Sequence, residues 1–321
     1  MANILVTGGA GFIGSHVCEA LLDRGDSVVC IDDFNDYYSP ELKHKNLERI
    51  TKNPRFHLVV GDIRDIAQLQ NIFEETKPDK VIHLAARAGV RASIKDPLLY
   101  QEVNVSGTLN LLELARQYDI KNFVYASSSS VYGENKTMPF SEKDRVDNPL
   151  SPYAATKRAA ELMCSTYHHM YGMNISCLRF FTVYGPRGRP DMAPYKFMDL
   201  VMHDKPIPKF GDGSSSRDYT YVNDIVQGIF GALDGDFGFE IFNLGNSAPV
   251  SLNDFISTME RVTGKKAEID QKPVPSTDVP ATYADLSKSR RLLGYDPKIG
   301  LEDGLTKMFE WYKKERMSRN K

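Results

Sequence analysis

Long apolar runs are missing from this chain. Hydrophobic residues make up 41% of its 321 positions, yet no stretch approaches the roughly eighteen uninterrupted apolar residues that a membrane-spanning helix needs. The first residues carry no basic segment leading into a cleavable apolar run. Both absences set the expectation of a cytoplasmic protein that engages no membrane. Cysteine is scarce: Cys18, Cys30, Cys164 and Cys177 share no CxxC spacing, and two lie in apolar strand-like runs. That pattern excludes a disulfide framework and a thiolate metal site, and leaves reduced core thiols in a reducing compartment. The seven histidines include one adjacent pair, His168 and His169, without ligand spacing, so no metal is expected. A net charge of −2 offers no field for nucleic acid. No repeat or low-complexity tract is present. What remains is a length that can bury a large core in a two-part unit.

The stretch Ile4 to Ser15, ILVTGGAGFIGS, organises the rest. Ile4, Leu5, Val6 and Thr7 make a short buried strand, and the glycines break it at once. Gly8, Gly11 and Gly14 fall three apart, and a run with apolar residues at helical spacing continues from Phe12 to Leu22. Strand, tight turn and helix start together aim unpaired N–H groups and a positive dipole end at one point, which suits a pyrophosphate. A glycine triplet alone also fits a bland turn. The next strand, Ser27 to Ile31, ends in Asp32 and Asp33, where a dinucleotide fold places an acid on the adenosine ribose. No Arg or Lys follows within several residues to meet a 2′-phosphate, so the expected cofactor is NAD.

Further along, a charged helix is predicted from about Pro40 to Thr51, a strand from Phe56 to Val60, and a helix from Ile66 to Glu75 capped by Asp65. Asp62 stands where a third strand could offer a carboxylate to adenine. KVIHLAA reads as a strand covered on both faces, with His83 a satisfied core residue. ARAGVR then reads as a small-residue loop carrying Arg87 and Arg91. A long helix from Pro97 to Tyr118 has apolar residues on more than one face, including Leu98 and Leu109, so one face wants a partner. Strand Asn122 to Ala126 runs into Ser127, Ser128, Ser129 and Ser130. The alternation βαβαβ predicts an α/β fold with a doubly wound parallel sheet.

After Ser151-Pro152, a natural helix start, Tyr153 and Lys157 fall one helical turn apart on one face. A second YxxxK match, Tyr132 to Lys136, is turn-like at Gly133 and cannot hold that spacing. A phenol titrates near pKa ~10, so a base near neutrality needs lowering by roughly three pH units, about 4 kcal/mol. A neighbouring ammonium and the positive nicotinamide favour phenolate. The competing interpretation is a surface pair of little consequence.

TGGAGFIGS, the Asp32 strand end, HLAA, the serines before VYG, and YAATK together resemble the extended short-chain dehydrogenase/reductase family over the full chain. FFTVYGPRGRPDMA, Phe180 to Ala193, is similar to the matching stretch of the nucleotide-sugar 4-epimerases acting on UDP-glucuronate. The resemblance implies Tyr153 as base, Ser128 as the hydroxyl steadying the sugar O4, and Lys157 as the residue that binds nicotinamide ribose and lowers the tyrosine pKa. It implies cofactor contacts at Gly8, Gly11, Phe12, Ile13, Gly14, Asp32, Asp62, Ile63, Leu84 and Ala85. Substrate contacts follow at Arg87, Ser127, Ser129, Arg217, Asp278 and, beside uracil, Phe210, although Pro275 stands where relatives place an Arg. It further implies a Rossmann domain over 1–180 completed by about 218–247, and a smaller α/β UDP-sugar domain over 181–217 and 248–321. Relatives also imply a homodimer through a four-helix interface of the helices after Pro97 and from Tyr153.

Thr182 replaces the Asn of many UDP-hexose epimerases, and Arg187 and Arg189 follow it. A guanidinium fits a C6 carboxylate and is left unpaired by a neutral hydroxymethyl; the alternative is that these arginines serve the diphosphate or solvent. Family dehydratases carry Asp-Glu just before VYG, and the decarboxylases a Glu. Ser129 and Ser130 stand here instead, which leaves water loss without its acid and base. The expected activity is therefore C4 epimerisation of UDP-glucuronate to UDP-galacturonate through a 4-keto sugar, with NAD regenerated. The alternatives are a UDP-glucose or UDP-N-acetylglucosamine 4-epimerase, a decarboxylase, or a non-catalytic NAD-binding protein.

Overall fold

Seven parallel strands form the centre of the computed structural model, which describes residues 1–274 and 280–317. They are β1 (Asn3–Thr7), β2 (Ser27–Asp32), β3 (Phe56–Val60), β4 (Lys80–His83), β5 (Asn122–Ser128), β6 (Ile175–Phe180) and, much later in the chain, β10 (Phe239–Leu244). Their spatial order is β10-β6-β5-β4-β1-β2-β3. Side chains alternate across the sheet, and both faces are buried along its central strands, while the edge strand β3 is partly exposed. Ile4 and Val6, with Val28, Cys30, Ile82 and Val124, enter one apolar layer, while Leu5, Val29, Ile31, Val81 and Phe123 enter the other. Each such side chain contributes roughly 1.5–3 kcal/mol by leaving water, which is why these strands read as continuous apolar runs.

Helices supply the partners. The first layer is closed by α1 (Phe12–Arg24) and, from late in the chain, by Val222–Asp234. The second is closed by α3 (Ile66–Thr76), which follows α2 (Pro40–Leu47), and by α6 (Gly107–Gln117) and α7 (Pro152–Tyr171). Capping chemistry sets the starts: Asp65 accepts from Gln68 N at 3.0 Å, and Ser151 accepts from Ala154 N at 3.1 Å ahead of Pro152.

Three expectations change. The helix after Ser39 ends at Leu47, with turns carrying the chain to Thr51. The loop expected over ARAGVR, residues 86–91, gives way at Val90 to α4 (Val90–Lys95), and Pro97–Gln101 forms α5. The long helix continues from α5 into α6 only through a π turn, Glu102–Ser106, next to Gly107, where a Cβ would lie 2.6 Å from Ile63 Cδ1.

The chain leaves the large sheet after Phe180 and returns to it at β10. Between and beyond lie two small sheets. One is β11 (Pro249–Ser251), β9 (Ser216–Tyr221) and β7 (Thr182–Tyr184); the other is β12 (Ile269–Lys272) with β8 (Ile207–Phe210). Among the described residues no helix is long and apolar enough to cross a membrane. All four cysteines are buried and free.

Candidate active site

The crevice opens at the carboxyl ends of the parallel strands, where the order reverses between β1 and β4. It is a cavity of about 520 Å³. Every candidate catalytic, cofactor or substrate residue lines it, except Phe210, Asp278 and Arg187. Asp278 lies outside the described residues. Phe210 is set back from the wall, its ring 5.0 Å beneath the guanidinium of Arg91, which does line the cavity. Arg187 turns away altogether: it donates to Glu19 Oε2 at 2.6 Å and to Asn46 O at 3.1 Å.

The floor is the glycine turn. Gly8 has φ +70°, and a Cβ there would lie 2.7 Å from Ala85 N. A Cβ on Gly14 would overlap Gly8 O, so the first turn of α1 sits against the loop. That helix has no side-chain cap and no acid in its first turn, which keeps its N–H groups and dipole for an anion. At the end of β2, Asp32 accepts from Ala10 N at 3.1 Å and from Phe34 N at 2.9 Å. Burial pushes its carboxyl up, and Lys43 opposes that rise.

Lys43 amends the argument about the 2′-phosphate. Eleven positions beyond Asp32 in sequence, its Nζ lies 3.7 Å from Asp32 and 3.9 Å from Asp33, and all three line the cavity. A cation is present after all, but two carboxylates face it and the cluster stays anionic, which still favours ribose hydroxyls over a phosphate. Asp62 is paired with Arg64 at 2.6 Å, and although burial acts against it, those hydrogen bonds hold its carboxyl low. Arg87 donates to Asn35 Oδ1 at 3.1 Å and keeps its buried Nε without a partner. These residues fit a dinucleotide: an uncapped helix start, a backbone cradle closed to any Cβ, and an acid at the ribose end.

On the opposite wall, β5 and the head of α7 bring the reactive groups together. Ser128 accepts from Ser130 N at 3.2 Å, which fixes its hydroxyl in the wall that also carries Tyr153. Burial pushes the Tyr153 phenol up, while Ser128 and the charge of Arg189 pull it down. Lys157 does not touch the phenol here. Its Nζ donates to Ala126 O at 2.6 Å and lies 4.8 Å from the Tyr125 ring centre. Burial lowers its pKa to about 7, against the Glu161 carboxylate, which favours the ammonium. In place of the expected lowering by Lys157, burial on balance prevails and the phenol lies above its ordinary value, with Ser128 and the charge of Arg189 opposing the rise. His83 is satisfied on both ring nitrogens by Thr7 at 2.7 Å and Thr108 at 2.9 Å. Tyr132 of the second YxxxK match is buried, donating to Asn243 at 2.7 Å.

Sequence reasoning missed a buried network behind this wall. Glu161, one turn past Lys157, accepts from Ser127 at 2.6 Å and from both Nε and Nη2 of Arg179 at 2.9 Å. Ser127 and Arg179 are register partners on β5 and β6, so the network locks the strand end that presents Ser128. The i, i+4 relation of Lys157 and Glu161 was the available signal. Tyr37 and Lys43 were also missed, because both belong to a segment that reads as surface. Thr182 and Arg189 do reach the cavity, and Arg189 is paired with Asp191 at 2.6 Å.

A protein-family model described as GDP-mannose 4,6-dehydratase matches residues 5–308. The UDP-glucuronate 4-epimerase of Thermodesulfobacterium geofontis is 47% identical over 314 residues, covering 98% of this chain and 97% of its own. Among solved structures, the UDP-glucuronic acid 4-epimerase of Bacillus cereus, in complex with UDP-glucuronic acid and NAD, matches with a TM-score of 0.92 at 40% identity, over 97% of this chain and 99% of that one. The UDP-glucose 4-epimerase of Thermotoga maritima, with UDP-glucose, matches with a TM-score of 0.90 at 34% identity over the same shares.

Proposed function

The chain belongs to the GDP-mannose 4,6-dehydratase family, as one of its nucleotide-sugar epimerases, and from that premise we propose that it converts UDP-glucuronate to UDP-galacturonate at C4 with bound NAD. The observation that carries this reading is one wall holding Ser128, Tyr153 and Lys157 opposite the glycine turn, with Arg189 and Thr182 in the same cavity. NAD supplies the acceptor and donor of the C4 hydrogen. Tyr153 takes the O4 proton and returns it, and Ser128, in the same wall, steadies that oxygen with its hydroxyl. Lys157 would bind the nicotinamide ribose. Arg217 grips the diphosphate, so the sugar can turn over while the nucleotide stays. Thr182 and Arg189 receive the sugar carboxylate. Ser129 and Ser130 occupy the positions before VYG, leaving no carboxylate there for dehydration or decarboxylation.

In this reading residues 1–180 with about 218–247 hold NAD, and 181–217 with 248–321, Asp278 and Phe210 included, hold the UDP-sugar. The protein works as a cytoplasmic homodimer. Support for the pairing is an apolar face on the segment from α4 to α7, where Leu98 is 75%, Ile94 54% and Leu162 51% exposed.

Proton NMR of UDP-glucuronate and UDP-glucose, incubated separately with the protein, tests the assignment. UDP-galacturonate should form rapidly and UDP-galactose slowly. Tyr153→Phe should stop both reactions with NAD retained. Arg189→Ala should weaken UDP-glucuronate by roughly 2 to 5 kcal/mol and cost UDP-glucose much less. Equal loss on both substrates, or UDP-glucose as the better parent substrate, refutes the carboxylate role.

A further inference from the structure

Arg189 already has a carboxylate. Its Nε donates to Asp191 Oδ1 at 3.0 Å and its Nη2 to Asp191 Oδ2 at 2.6 Å. Tyr37 completes the arrangement: its hydroxyl donates to Asp191 Oδ2 at 3.2 Å, and its ring centre lies 5.4 Å from the guanidinium carbon. Arg189 and Tyr37 line the cavity, whereas Asp191 is solvent-exposed and meets the arginine from outside the lining. The pairing is local. Pro190 separates the two residues, and Met192 N donates to Arg189 O at 3.1 Å, closing a tight turn just ahead of Ala193–Met202. The ion pair occupies the Nε edge of the guanidinium. Asp191 engages Nε and Nη2, and the guanidinium's other edge, Nη1 with the second Nη2 proton, is the one a further carboxylate can take.

Two consequences follow from charge. A guanidinium with no counter-ion in a partly desolvated wall strongly favours an anionic sugar and is left uncompensated by a neutral one. With Asp191 in place, a neutral sugar leaves no uncompensated charge, and an anionic sugar must share the guanidinium with a second anion.

We propose that Asp191 is a specificity-setting residue, an internal counter-carboxylate on Arg189 that narrows the preference of the site for charged over neutral UDP-hexoses. This rests on the reading that Arg189 receives the sugar carboxylate. Tyr37 is its positioning residue, holding Asp191 on the guanidinium edge.

The test compares kcat/KM for UDP-glucuronate and UDP-glucose in the parent and in Asp191→Asn, which keeps the shape and removes the charge. The preference for UDP-glucuronate should widen by roughly tenfold, the low end of what a close charge pair contributes, while affinity for UDP alone stays unchanged. Tyr37→Phe, which keeps the ring, should widen it in the same direction by less, and serves as the test if Asp191→Asn fails to fold. A preference that is unchanged or narrowed in these variants overturns the proposal. Arg189→Ala separates the two layers. If it abolishes the parent's preference while Asp191→Asn leaves it unmoved, only the role of Asp191 is lost; if Arg189→Ala leaves the preference intact, the carboxylate reading falls and this inference with it.

Discussion

Two histidines, His83 buried and His16 half-buried, give the protein an acid limit. Burial, with Lys157 nearby, lowers His83 to a pKa of about 3, and burial with the charge of Arg187 does the same to His16. Their unfolded value is 6.5. Between those pH values the unfolded chain binds more protons than the folded one, so stability rises with pH across that window. The contribution is fully present above about 6.5 and is lost as pH falls toward 3. Urea unfolding at pH 7 and at pH 4.5 should show this loss. His83→Asn should be less stable at pH 7, because Thr7 and Thr108 lose their ring partners, yet lose less than the parent between the two pH values. An equal or larger loss in the variant would place the acid sensitivity elsewhere.

Helix α1 owes its position to what its glycines omit. Because a Cβ on Gly14 would overlap backbone atoms of Gly8, and flexible side chains are not what it meets, the turn cannot relax around even a methyl group. Gly14→Ala should push the helix start away from the β1 turn. The expected result is release of NAD on gel filtration and a loss of stability of about 1–3 kcal/mol in urea titration. Retention of NAD at the parent's level would mean that the cradle is looser than its geometry. Helix α7 is held differently. Its N-terminal end presents Tyr153, and Glu161 ties its middle to β5 and β6 through Ser127 and Arg179, the latter only 1% exposed.

At the scale of the molecule, the two apolar layers account for the buried faces of α1, α3, α6 and α7, and leave Ile94, Leu98 and Leu162 exposed. A second copy covering them should give a mass near twice 36.1 kDa by light scattering at micromolar concentration. Leu98→Asp, placed at the most exposed of these positions, should shift the mass toward one chain without changing the far-ultraviolet spectrum. A parent that stays at one chain's mass at every concentration refutes the dimer.

Local physics made much of this protein legible without coordinates. The glycine turn, the buried strands through β5, the Asp65 cap and the Pro152 helix start depend on residues near one another in sequence, and backbone sterics and side-chain period act over that range. The chemistry of Ser128, Tyr153 and Lys157 was readable because one strand end and one helical turn hold it. Folding alone decided the rest. Lys43 reaches Asp32 only because α2 packs over the end of β2, Arg187 is drawn off to Glu19 while Arg189 stays in the wall, and Phe210 is held back behind Arg91. Charge–charge contacts of this kind depend on distances that the chain sets only when distant segments meet. Sequence therefore determined which groups the protein carries to the cavity, and the tertiary structure determined which of their charges remain available there.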